Sequence, residues 1–145
     1  MGLSGQPVKR GTMAHEHIIY MMLVDSAAIA QDKGTILKYA PVLEKLAIRD
    51  DHRPYLAVAY RAYGIAHRLS KEYEQAETYL QQALKIFDEL GTPWQRGRTF
   101  SELGELEKLR GNDSLSRELF TSALKDFEII RAEPDAARTK QRLGT

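Results

Sequence analysis

The stretch Tyr60-Arg61-Ala62-Tyr63-Gly64 returns forty residues later as Phe100-Ser101-Glu102-Leu103-Gly104, and Ala83-Leu84-Lys85-Ile86-Phe87 returns as Ala123-Leu124-Lys125-Asp126-Phe127. Aromatic lies on aromatic, glycine on glycine and Ala-Leu-Lys on Ala-Leu-Lys, without a gap. A repeat of this length is one supersecondary unit, which buries its apolar face only by stacking on neighbours.

Outward from these segments the apolar residues keep helical spacing. Leu56, Ala59, Tyr60, Tyr63, Gly64 and His67 form one stripe, and Tyr73, Ala76, Leu80, Ala83 and Phe87 belong to the next. Phe100, Leu103 and Leu106, then Leu119, Phe120, Ala123 and Phe127, continue the pattern. Breaks fall at Ser70-Lys71-Glu72, at Gly91 and at Gly111-Asn112-Asp113, while Pro54, Pro93 and Pro134 open helices, where proline's missing N–H is harmless. Upstream, Ala14 to Gln31 reads as a helix, Asp32-Lys33-Gly34 as a break, and Thr35 as the cap of a second helix running to about Ile48. Pro41 fits that helix best if it starts late, near Ala40. No strand alternation appears. The sequence therefore predicts an all-α chain, a superhelix of stacked antiparallel helix hairpins with about three pairs plus a C-terminal helix. Residues 1–12 read as a flexible leader or an added extension, and 13–145 as one helical repeat domain. Its parts are a degenerate repeat over 13–50, repeats over 54–91 and 93–131, and a partial repeat or capping helix over 134–145.

Bulk properties exclude several functions. The 145 residues carry 21 basic and 20 acidic side chains, so no global field draws nucleic acid or an anionic membrane. The absence of cysteine removes disulfides, thiolate catalysis and Cys-ligated zinc, and is compatible with a cytoplasmic setting. The apolar run Ile18 to Val24 is cut by Asp25 and is too short to span a bilayer.

These residues resemble the tetratricopeptide repeat, in which W-x2-L-G-x2-Y is followed by A-x3-F on a second helix. Tyr60, Tyr63 and Gly64 take the first-helix places of one repeat and Phe100, Leu103 and Gly104 those of the next. Ala76, Leu80 and Ala83, then Ser116, Phe120 and Ala123, take the second-helix places. His67 and Glu107 depart from the tyrosine expected after the glycine. The period of 40 exceeds the usual 34 and is similar to long repeats of bacterial signalling proteins, such as sensor arms of large ATP-dependent transcriptional activators. Over 13–50 an offset of 36 puts Ala28, Ala40 and Ala47 on the small positions but Glu44 where an aromatic belongs.

The resemblance implies a non-catalytic module that binds a protein or peptide on its concave face, lined by the first helix of each pair. By position that face holds Val58, Arg61, Ile65 and Arg68, then Arg98, Ser101, Glu105 and Lys108. Four of the eight are basic, which suits an acidic peptide or a carboxylate. The carboxylate-holding set of chaperone-binding members is not reproduced, because Ile65 stands where asparagine is needed and Glu102 where a basic residue is needed. The alternatives are a regulator gated by a small molecule or signalling peptide, and a module that self-associates through an unpaired helix from Asp135 to Leu143, giving a homodimer.

Other constellations have plainer readings. His15 and His17 lie two residues apart and face different ways on a helix, so surface or structural roles outweigh a metal. His67 reads as a packed residue between repeats. Met21 and Met22 read as core, or as an adaptable contact surface. Trp94 reads either as an exposed anchor or as folded back on the preceding helix. No nucleophile–base pair, phosphate loop or cofactor motif is present in the sequence.

Overall fold

The computed structural model describes the backbone of residues 2–144 and the side chains of residues 15–144. Among the described residues there are seven helices and no strand: α1 Gly2–Ile29, α2 Lys33–Arg49, α3 Arg53–Leu69, α4 Tyr73–Leu90, α5 Pro93–Leu109, α6 Asp113–Ile129 and α7 Glu133–Leu143. The side chains of the segment expected as a leader, 1–12, lie outside the described residues.

From α2 onward, helices begin every twenty residues, at Lys33, Arg53, Tyr73, Pro93, Asp113 and Glu133. The turns share one device. Gln31, Asp51, Lys71, Gly91, Gly111 and Arg131, also twenty apart, all have positive φ. The next amide in each case reaches back to cap an orphan carbonyl, as in Asp32 N to Ala27 O and Ala132 N to Phe127 O, both 2.8 Å. Glycine fills only Gly91 and Gly111 of these six; the four other side chains each sustain a left-handed conformation at roughly 1–2 kcal/mol.

Each helix packs on its sequence neighbours, and α1 also packs on α3, so the helices form a stack of pairs α1–α2, α3–α4 and α5–α6 with α7 closing on α6. The buried positions of the second helices superpose at an offset of 40 throughout. Ile36, Ala40, Leu43, Leu46 and Ala47 correspond to Ala76, Leu80, Ala83, Ile86 and Phe87, and then to Ser116, Phe120, Ala123, Asp126 and Phe127. The expected offset of 36 for the first pair is therefore one helical turn short. A shift of one turn keeps the same face inward, and a size exchange hides the true register. Gly64 makes room for Leu80, and Gly104 for Phe120: an added Cβ would stand 2.6 Å and 2.8 Å from those side chains. In the first pair Val24 takes the glycine place and Ala40 the large one, and both are fully buried in one cluster. His17 and Ala47 exchange sizes in the same way with Gly97 and Phe127, where an added Cβ would meet the ring at 2.8 Å.

Two local expectations are corrected. The second helix starts at Lys33, capped by Asp32, whose carboxylate accepts from Thr35 N (3.2 Å) and Thr35 Oγ1 (2.6 Å), rather than by Thr35 itself. Pro41 consequently sits inside the helix. It faces solvent, the side on which the lost intrahelical bond costs least. His67 is packed, but within its own pair: its ring stacks on Tyr79 at 5.4 Å and bonds Glu72 at 2.9 Å.

Candidate functional site

The first helices of the pairs curve around a common inner face. Ala28 and Ile29 of α1, Gln31 in the turn after it, Ile65 of α3, Trp94, Arg98, Ser101 and Glu102 of α5, Phe127 of α6, and Asp135, Arg138, Thr139 and Arg142 of α7 line a cavity of about 510 Å³.

The inner face has two unlike halves. Over α3 it is sealed. Arg61 is 1% exposed, and its guanidinium bonds Gln95 O (3.2 Å), Thr99 Oγ1 (3.3 Å) and Asp25 Oδ1 (3.3 Å) while lying 5.1 Å from the centre of the Phe87 ring. Asp25 sits on the inner side of α1 and also receives two bonds from Arg98, at 3.0 and 2.8 Å. One carboxylate thus ties α1 to both α3 and α5. Burial would raise the Asp25 pKa, but the bonds from Arg98 and the charges of Arg61 and Arg98 more than offset it and hold it below 3.8. Burial, reinforced by Arg98, lowers the Arg61 guanidinium to about 10, so it remains a cation at neutral pH.

Between α5 and α7 the face is open. Trp94 is half exposed, its indole Nε1 donates to Asp135 Oδ2 at 3.1 Å, and Arg98 lies 4.9 Å from its ring centre. It therefore folds toward α7 inside the groove rather than onto the preceding helix. Arg138 pairs with Asp135, and Arg142 Nε with Glu105 at 3.3 Å; both arginines keep large exposed surfaces. Glu102 is recessed at the floor: burial pushes its carboxyl pKa up, and the charges of Arg68, Arg61, Arg142 and Arg98 offset this only in part. Arg68 reaches Glu102 at 3.5 Å, and its Nε is buried without a hydrogen-bond partner.

Of the eight residues expected on the concave face, Ile65, Arg98 and Ser101 line the cavity. Val58 and Arg61 are buried and present no binding surface, because α1 lies over α3, and Arg68 is buried with its guanidinium reaching Glu102. Glu105 acts through its pair with Arg142, and Lys108 is exposed outside the cavity. Sequence reasoning left Trp94 open between an exposed anchor and a residue folded back on the preceding helix, and missed all of α7's contribution. The signal was available, since Arg138, Thr139 and Arg142 repeat the positions of Arg98, Thr99 and Glu102 at the same offset of 40.

The remaining features are structural. His17 is buried, bonded to Asp50 at 2.9 Å and packed edge-on to His52, while His15 is exposed. Buried Glu107 accepts from Arg110 (2.9 Å) and Asn112 (2.6 Å). Helix α7 buries Ala136, Thr139 and Leu143 against α6, and its outer side is mostly polar, so the self-association expected of this helix has little apolar surface to rest on. No helix among the described residues is long and apolar enough to cross a membrane.

No curated protein matches the chain. The family model of the tetratricopeptide repeat matches residues 43–89 and again residues 55–129. These matches span more than half of the sequence and cover hairpins whose glycine and small-residue contacts have the geometry described above. The chain belongs to the tetratricopeptide repeat family, whose repeats typically act as non-catalytic protein–protein interaction modules.

Proposed function

We propose that the chain binds a peptide or helix of a partner protein in the α5–α7 half of its inner face, and that acidic side chains of the partner meet Arg138 and Arg142. The carrying observation is the cavity of about 510 Å³, lined by Trp94 and three arginines. Each acidic neighbour of these arginines is itself partly exposed, so a partner carboxylate can compete for the same donors. Trp94 supplies a rigid amphipathic wall of the kind that anchors interfaces. A preformed groove also spares the module an ordering cost. The volume falls in the range of about 300–1,000 Å³ typical of small-molecule sites. The walls, however, are as charged as they are apolar, and the rim residues Ile29 and Trp94 open to solvent, which fits an extended ligand better. By resemblance to long-period repeats, we place the module in a cytoplasmic bacterial regulatory or signalling system.

The test uses the chain's single tryptophan. An array of random peptides is probed with wild type and with Arg138→Gln/Arg142→Gln, and hits are titrated by Trp94 emission. Acidic peptides should bind, shift the emission and lose affinity in the variant. Hits that bind both proteins equally and leave Trp94 silent would sink the proposal.

A further inference from the structure

Glu102 sets an acid in the floor of a cavity whose walls carry Arg98, Arg138 and Arg142. Its side chain is 28% exposed, and among the described residues only Oε1 accepts a hydrogen bond, a long one of 3.5 Å from Arg68. Oε2 receives no donor from the described residues. Burial raises the pKa of this carboxyl, and the surrounding guanidinium charges offset that only in part.

The arginines near the floor are already engaged. Arg98 bonds Asp25 twice, Arg61 bonds Asp25, Thr99 and Gln95 O, and Arg68 turns its guanidinium to Glu102 with Nε buried. A ligand carboxylate that passes Arg138 and Arg142 to reach the floor therefore meets a like charge in place of a free donor, and its lost hydration goes uncompensated. A cationic side chain is repelled in turn by Arg68, Arg61, Arg142 and Arg98, whose charges all act on Glu102.

Ser101 also lines the cavity, and its hydroxyl makes no hydrogen bond among the described residues. The floor thus presents one acceptor-only group beside one hydroxyl that can donate. A side-chain amide, with one NH2 and one carbonyl, matches both and brings no charge. A carboxylate has no proton for Glu102, and an alkyl chain leaves both groups unpaired.

We infer that Glu102, together with Ser101, selects a side-chain amide at the ligand position that reaches the floor and rejects the isosteric acid there. This selection rests on the peptide groove proposed above. Peptides that bind on the array are resynthesised with Gln, Glu and Leu in turn at each position and titrated near neutral pH by Trp94 emission. At one position the wild type should favour Gln over both Glu and Leu by more than about tenfold. Glu102→Gln keeps the size and removes the charge, and should bring the Gln and Glu peptides to within about threefold of each other. Ser101→Ala should weaken the Gln peptide by about three- to tenfold and leave the Leu peptide unchanged. Both variants should keep the wild-type far-UV circular dichroism. A wild type that binds the Gln and Glu peptides equally at every position would overturn the selection and leave the groove standing. So would a folded Glu102→Gln variant with the wild-type preference, or Ser101→Ala with undiminished affinity for the Gln peptide. Peptides that bind without responding to Arg138→Gln/Arg142→Gln would overturn the groove itself, and the selection with it.

Discussion

The inner face of this superhelix is two regions made from equivalent positions with opposite fates. Over α3, Val58 and Arg61 are shut in beneath α1. Over α5 and α7, the equivalent Arg98, Arg138 and Ser101 look into a cavity. Over α3 the apolar packing of Val24, Ala27 and Ala28 and the carboxylate of Asp25, bonded to both Arg61 and Arg98, hold α1 in place. Repeat position alone therefore does not make a residue a binding residue; the curvature that other residues impose decides which inner-face positions meet solvent.

Removing Asp25 breaks the contrast most severely. Asp25→Ala leaves Arg61 and Arg98 without their shared acid, one of them fully buried, and should destabilise the fold by about 3–5 kcal/mol in urea unfolding. The same interaction has a pH signature. The Asp25 carboxyl titrates below 3.8 in the folded chain, so its contribution is present above the unfolded pKa and is lost as pH falls through the lower folded value. The wild type should lose stability below about pH 4 by a margin that Asp25→Ala lacks.

The frame shared by both halves is tested next. Gly64→Val forces a branched side chain onto Leu80 and should cost about 1–3 kcal/mol by overpacking. Adding Leu80→Ala copies the Val24 and Ala40 arrangement of the first pair and should restore most of that loss in a double-mutant cycle. Two additive losses would show that the size exchange between pairs is not what lets the first pair dispense with glycine.

The smallest stability effect is expected in the open half. Arg138→Gln/Arg142→Gln removes two exposed pairs and should change stability by no more than about 1 kcal/mol in thermal unfolding, while removing peptide binding.

Much of the fold was legible in the sequence, because helix periodicity, turn residues and the glycine and alanine contacts are local. The first pair's register was not. Val24 for glycine and Ala40 for leucine conserve volume across the contact rather than residue type at either position, and an error of one turn leaves the same face inward. The site was legible only in part. Ile65, Arg98 and Ser101 were found from repeat position, but the sealing of Arg61 depends on Asp25, 36 residues earlier in the chain, and on Thr99, 38 residues later. Such contacts leave no periodic trace. Trp94 belongs to the groove because Asp135, 41 residues on, accepts its indole N–H.

The division of the inner face can be read directly by arginine modification of the native chain with phenylglyoxal, followed by mass spectrometry. Arg138 and Arg142, with side chains 61% and 39% exposed, should react readily, while Arg61 and Arg68, at 1% and 9%, stay protected until the chain unfolds. Modification of Arg61 under native conditions at the rate of Arg138 would contradict the sealed half, and with it the assignment of binding to the α5–α7 groove.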